Sequence, residues 1–307
     1  MTTSNEPSQW SRNLVKGAVD LHVHAGPDAV PRREDAQTIT NKFTENGLAG
    51  FVDKNHFVPT VNKAVRTKPS GAQHFSSIVL NGFVGGLNPL AVDIAARSGA
   101  RMVWMPTVDV ELTPEAAGEK LQGTPSSWSK IRNDLLNRGL ARTRDPIISA
   151  HGGPSNQLLE VLEIIRAWDL TLATGHLRFE ESMVVVRAAV AMGIQRVVVT
   201  HPEFPAQKFS INEQKELAEM GGTLEYCFTT AATGKTSWTS WIDGIKTLPP
   251  EHVVISSDSG QPSNPPVEDC LPLAAEVLSS AGLPERWIQT IITDNSRRLI
   301  NLQQHFI

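Results

Sequence analysis

Short apolar, β-branched runs alternate along this chain with segments whose apolar residues recur at helical spacing. The two periods, about 2 and about 3.6 residues, separate strand from helix. Strand 1 is expected at about Val19–Val23, strand 2 at about Ala49–Asp53, strand 3 at Ser76–Leu80 and strand 4 at Met102–Pro106. Strand 5 follows near Leu170–Thr174, strand 6 at Arg196–Thr200, strand 7 at Thr223–Cys227 and strand 8 at Val253–Ser257. Between them, NPLAVDIAARSG starts on a proline-containing turn and stops at glycine. FEESMVVVRAAVAMG and SINEQKELAEMGG carry acidic residues near the start and glycine at the end. Such alternation favours a parallel sheet. Eight strands, at intervals mostly of about 25 to 30 residues, predict an α/β fold of one (β/α)8 TIM barrel.

One interval breaks the rhythm. Strands 4 and 5 stand roughly twice the usual distance apart, through Val108–Trp168. Residues 108–152 read as an insertion, a cap or loop between strands 4 and 5, with a helix starting at Thr113-Pro114. The tail NQLLEVLEIIRAWD has the spacing of the barrel helix that leads into strand 5. The insertion leaves from the C-terminal end of strand 4, where barrels collect their catalytic groups. As a cap it would shape a substrate pocket; as a loop excursion it would serve oligomer contacts. Residues 1–16 read as an N-terminal arm of a single barrel domain spanning 1–307.

Composition narrows the function classes. Hydrophobic residues make up 40% of the 307 positions and charged residues 20%, the mixture of a soluble globular protein. A formal net charge of −4 without a basic run argues against nucleic acid and anionic membranes as partners. The start, MTTSNEPSQWSRNLVKG, lacks the apolar core of a signal peptide, and no apolar stretch approaches the roughly 20 residues of a membrane span. Cys227 and Cys270 are too far apart in sequence for a thiolate motif and too few for a disulfide framework. A cytoplasmic protein acting on a small molecule is expected. Its helix-rich outer faces and insertion offer surfaces for a homo-oligomer.

The candidate chemistry lies at the strand ends. His22 and His24 in VDLHVHAGPD are two residues apart, so both side chains leave strand 1 on one face. Asp20 shares that parity and is expected deeper in the barrel. His176 in LATGHL, His201 in VVVTHPEF and Asp258 in VVISSDSG each follow an apolar run and precede loop residues. Imidazoles and a carboxylate gathered at one mouth suit Zn²⁺, Mn²⁺ or a similar cation. Taken singly, a His-x-His pair is more often a chance surface pair and a lone buried histidine a hydrogen-bonded core residue, while Asp258 could cap the next helix as well as bind metal. Together and in this order, they point to metal.

His-x-His on strand 1, His on strands 5 and 6 and Asp on strand 8 resembles the amidohydrolase superfamily of metal-dependent barrels, over nearly the whole chain. The resemblance implies a hydrolytic water held by one or two divalent ions, with Asp258 as proton acceptor. Within that superfamily the chain resembles uncharacterised bacterial amidohydrolase-like proteins with a K-x-H segment on strand 2. That segment is GFVDKNHF, which sets Lys54 and His56 on one face. Two-metal members usually bridge the ions with a carboxylated lysine from strand 4, but strand 4 here, MVWMPTVDV, has no lysine. Lys54 has three readings: an N6-carboxylysine bridge and metal ligand, an ammonium that binds substrate, or a structural ion pair. Nearby cations would depress its pKa as carboxylation requires.

Further residues are expected to complete the pocket. Glu225 reads as a carboxylate behind a ligand histidine or as an arginine partner. His56, Asn81, Arg178 and Glu225 also read as substrate contacts, Arg178 by a bidentate grip on a carboxylate. Asp109 reads as a ligand or a cap, and His151 as a residue closing over the site. Trp104, Trp128, Trp238 and Trp241 offer an apolar wall, although tryptophan also packs beneath loops. His74, His252 and His305 read as structural.

Hydrolysis of an amide, ester or lactone follows as the leading expectation, with a metal-activated water whose pKa falls to about 7. Asp258 would take the proton, and His201 or Lys54 would stabilise the oxyanion. A metal-dependent decarboxylase of a small aromatic or conjugated acid is the alternative. Phosphoester hydrolysis at two metals, and a binding protein on a retired scaffold, complete the range.

Overall fold

In a computed structural model of the chain, which describes residues 6–63, 65–67, 70–110, 127–140 and 144–302, eight parallel strands form one sheet in sequence order. They are β1 (Val19–Val23), β2 (Gly50–Asp53), β3 (Gln73–Val79), β4 (Ala100–Trp104), β5 (Thr171–Ala173), β6 (Val197–Thr200), β7 (Thr223–Cys227) and β8 (Val253–Ser256). A parallel bridge between Val23 and Ser259 closes the sheet, and Asp258 N–H donates to the His22 carbonyl at 2.9 Å. The result is the expected (β/α)8 barrel. Most expected boundaries hold within two residues; β3 begins three residues earlier than Ser76.

The interior below the mouth is filled by Val19, Leu21, Val52, Phe75, Val79, Met102, Trp104, Ala173, Val198 and Val254. Leu299 and Ile300 from the end of the chain complete that core. Short terminal helices carry them across the base of the barrel, where Ser296 Oγ accepts from Val19 N–H at 3.1 Å. Asn295 Nδ2 donates to the Val253 carbonyl at 2.7 Å. The terminal segment is therefore a stopper pinned to the first and last strands.

Strand 1 departs from simple alternation. Its register against β2 shifts between Asp20 and Val23. Val19 and Leu21 point into the interior core, yet His22 also reaches the mouth. Asp20 is not beneath the histidines as parity suggested: its Oδ1 accepts from His22 N–H at 3.1 Å and Ser257 N–H at 3.0 Å. The irregularity flips the face between Asp20 and His22, as a bulge does.

Ahead of β1, Gln9–Leu14 forms a helix tied to the last long barrel helix, Val267–Ser280. Ser11 Oγ donates to Glu276 Oε1 at 2.8 Å, and Arg12 pairs with Asp269 at 2.7 Å. Within the insertion, Ser127–Asn137 is helical; the helix expected from Thr113-Pro114 lies outside the described residues. The helix leading into β5 is Asn156–Ala167, capped by Ser155. Among the described residues, no helix is long and apolar enough to cross a membrane.

Candidate metal centre

His22 Nε2 and His24 Nε2 lie 3.2 and 3.1 Å from the same atom, Asp258 Oδ1. The other ring nitrogens set the tautomers. His24 Nδ1 is 2.8 Å from the Lys54 carbonyl, a contact that requires its proton there. His22 Nδ1 faces Glu225 Oε2 at 3.3 Å. Both Nε2 atoms thus present lone pairs. Two lone pairs and a carboxylate oxygen converge, all within 4.8 Å of one another. Such a set repels itself unless a cation stands between its members, and the donor types suit a borderline divalent ion. Protonating His24 does not resolve the conflict, because burial and the Arg32 guanidinium hold its pKa well below the usual value.

Local backbone geometry aims these groups. Asp258 adopts a left-handed φ of 52°, held by Thr229 Oγ1, which donates to its carbonyl at 3.1 Å. Gly260, at φ +127°, passes so close to His24 that a Cβ would lie 1.9 Å from the His24 carbonyl oxygen. Only glycine permits this contact between the ends of β1 and β8. Burial opposes ionisation of Asp258, but His22 and His24 outweigh it and keep the carboxyl well below the ordinary range.

His176 and His201 join from β5 and β6. His176 Nδ1 donates to the Thr107 carbonyl at 2.8 Å, leaving Nε2 for the site. The His201 ring centroid is 4.9 Å from that of His176 and 5.8 Å from that of His22. Its buried Nδ1 has no partner among the described residues. Burial lowers the His201 pKa to about 4 and pushes His176 well below normal, so both are neutral donors near pH 7.

Lys54 is fully buried in this cluster, its Nζ 3.0 Å from His22 Nε2 and 4.3 Å from the Trp104 ring centroid. Burial lowers its pKa to about 8, although Asp258 and Glu225 pull the other way. A neutral amine is therefore accessible near neutrality. His56, two residues on, stacks on His24 at 5.1 Å and bonds Thr107 Oγ1 through Nδ1 at 2.8 Å. Glu225, with side-chain exposure of 0%, backs His22 and meets no arginine in its contacts. Cys227 Sγ is 3.6 Å from His22 Nδ1. Burial raises its pKa well above the usual thiol value, which leaves a thiol and not a thiolate ligand.

Other expected contacts sit elsewhere. Asn81 spends its whole amide on the backbone and a hydroxyl: Nδ2 donates to the His56 carbonyl and Thr107 Oγ1, and Oδ1 accepts from Thr107 and Val108 N–H. With four bonds made, no capacity remains for substrate. Arg178 is the half-buried N-cap of helix Phe179–Ala191. Asp109 accepts from Gly82 N–H and so caps a turn. His151 is exposed on the turn between the bridged Ile148 and Pro154. Trp238 and Trp241 pack on Phe228 and Tyr226 behind β7 and not on the mouth. Trp128 of the insertion helix does face it, 6.1 Å from His56 and 5.9 Å from His176 between ring centroids. His74 bonds Asp53 at 3.0 Å, while His305 lies outside the described residues.

Three groups near the site escaped the sequence reading. Thr107 orients His56 and His176 at once. Glu203 accepts from Cys227 N–H at 3.3 Å, and its Oε2 is buried without a partner. Arg32 places Nη2 3.3 Å from His24 Nδ1. The only sequence signal for Arg32 was its distance of four residues from Asp28 in the loop that follows the histidine pair.

Residues 17–225 match a family model described as a family of unknown function, DUF6282. No curated protein matches the sequence. Among solved structures, the chain is similar to an amidohydrolase from Pseudomonas aeruginosa, at 14% identity and a TM-score of 0.60, covering 96% of this chain and 98% of that one. The probable dipeptidase PvdM from the same organism aligns at 12% identity and 0.58, over 95% and 97% of the two chains. A metallopeptidase, dipeptidase AC, aligns at 13% and 0.59, over 94% and 98%. At these identities the likeness is one of fold, a (β/α)8 barrel.

Proposed function

The chain belongs to the DUF6282 family, whose description assigns no function, and we propose that it is a metal-dependent hydrolase of a small molecule carrying an amide, ester or lactone bond. The observation that carries this reading is the convergence of two unprotonated imidazole nitrogens on one carboxylate oxygen at the mouth of the barrel. The fold shared with an amidohydrolase and two dipeptidases supports it. His22, His24 and Asp258 would hold one ion. His176 and His201, both neutral near pH 7, would hold a second. Zn²⁺ or Mn²⁺ fits such nitrogen and oxygen donors. Lys54 as an N6-carboxylysine would bridge the two positions, turning a repelling ammonium into an anionic ligand.

Bound there, a divalent ion would acidify water and polarise the scissile carbonyl. The protein's own groups do the rest. Asp258 is the most exposed of its three-residue set, at 11% for the side chain against 1% and 2% for the histidines. Its carboxylate faces the mouth, ionised across the neutral range, to receive a proton from the attacking water and return it to the leaving group. Glu225 and the Lys54 carbonyl keep His22 and His24 in the ligand tautomer. Trp128 would shield the reacting centre from bulk water. No contact among the described residues favours the decarboxylase alternative.

The test pairs metal analysis with turnover on a panel of amides, esters and lactones. Asp258→Asn is expected to retain most of its metal yet lose turnover by roughly 10²- to 10⁴-fold. A purified protein with no affinity for Zn²⁺ or Mn²⁺, or wild-type turnover in Asp258→Asn, would overturn the reading.

A further inference from the structure

The loop after β1 carries a cation to which the hydrolytic chemistry gives no task. The Arg32 side chain is 5% exposed, and Asp28, with 0% exposure, accepts from its Nε at 2.6 Å. That pairing occupies one edge of the guanidinium. The terminal edge is turned to His24, with Nη2 3.3 Å from its Nδ1. His24 Nδ1 is no acceptor, because its proton already bonds the Lys54 carbonyl at 2.8 Å. Among the described residues, Nη1 and Nη2 therefore meet no carboxylate or carbonyl. A guanidinium whose stem is buried and whose fork meets no anionic acceptor is matched by a carboxylate accepting two parallel N–H bonds. Arg32 also acts electrostatically on His56, which stacks on His24 and neighbours Trp128.

We propose that Arg32 clamps a carboxylate of the substrate, so that the site takes small carboxylic acids whose hydrolysable acyl bond reaches His22, His24 and Asp258. The reaction in this statement rests on the hydrolase reading; the carboxylate binding does not. Arg32, not Arg178, is then the specificity-determining cation. Its position on a strand-1 loop, pinned by Asp28, fixes the acid end of the substrate relative to the first metal position.

Calorimetry on chelator-stripped protein tests the clamp without an ion to compete for the probe. Acetate, benzoate and N-acetylglycine are each compared with the corresponding primary amide. Wild type is expected to prefer at least one acid over its amide by roughly tenfold or more. Arg32→Met should abolish that preference. Because this variant strands a buried Asp28, the double variant Asp28→Asn/Arg32→Gln, which replaces the ion pair by a neutral amide pair, is measured beside it. Loss of preference in the double variant, with unchanged melting temperature, supports the clamp. No preference in wild type, or a preference that survives in the folded double variant, overturns it. Zn²⁺ stoichiometry and turnover of neutral esters judge the hydrolase reading separately, so either idea can fail alone.

Discussion

Glu225→Gln isolates the support behind one ligand. The substitution keeps the shape of the side chain and removes its charge, where Glu225 Oε2 lies 3.3 Å from His22 Nδ1 with side-chain exposures of 0% and 1%. The carboxylate holds the proton on Nδ1 and raises the basicity of Nε2, the atom aimed at Asp258. An amide can still accept from Nδ1–H through its oxygen, but its NH₂ must then fill the place of Oε1, which is buried without a partner. Loss of such support usually weakens metal binding by about 10- to 100-fold, or about 1.4 to 2.7 kcal/mol. Competition against a chromogenic chelator near neutral pH measures the Zn²⁺ dissociation constant directly. Glu203→Gln is the matched control: burial raises the Glu203 pKa to about 8, so a neutral carboxyl already stands there at pH 7. Its amide should bind Zn²⁺ as wild type does. A Glu225→Gln constant within about threefold of wild type would refute the tautomer argument.

Two further predictions concern Lys54 and Asp20. Intact-mass spectra recorded under CO₂-retaining conditions should show wild type heavier by about one CO₂, an increment missing from Lys54→Ala, which should also bind fewer ions; an unmodified wild-type chain holding two ions would refute the carboxylated bridge. Burial raises the Asp20 pKa from 3.8 to about 6. Below about pH 4 folded and unfolded chains both hold the proton, between about pH 4 and 6 the folded chain holds it more strongly, and above about pH 6 the fold carries a buried carboxylate. Stability from this group is thus full in acid and lost as pH rises through about 6, by about 1 to 2 kcal/mol between roughly pH 5 and 7.5. Urea denaturation of stripped protein should show that loss in wild type and not in Asp20→Asn; parallel pH profiles would count against it.

The strands were legible because most are short, predominantly apolar runs between turn residues, the pattern of a strand buried on both faces. The candidate ligands were legible for a related reason: a histidine or aspartate at the end of such a run lies at the C-terminal rim of the barrel. Period-two reasoning worked for His22 with His24 and failed for Asp20, since a bulge inside the strand leaves no mark in the hydrophobic pattern. Asn81 and Trp241 were misread because residue type does not reveal whether polar capacity is spent on backbone or a ring is covered by a helix. Arg32 escaped because it lies on a loop, where contact depends on how the chain folds back and no periodicity reports it. Whether residues 108–152 cap the mouth rests on Trp128, which no apolar stripe had singled out.

The stopper at the base of the barrel bears on how the protein is made. Val19 begins the first strand, yet its N–H is satisfied by Ser296, and the interior beneath Trp104 is closed by Leu299 and Ile300. The ligand set likewise runs from His22 to Asp258. A chain in which residues 295–302 have not yet docked would hold an open-bottomed barrel with its first strand unanchored. Docking of that segment, not the meeting of the candidate ligands alone, therefore completes the barrel beneath the centre. Until then, the long-range pairing of first and last strands leaves apolar edges exposed for chaperones to shield.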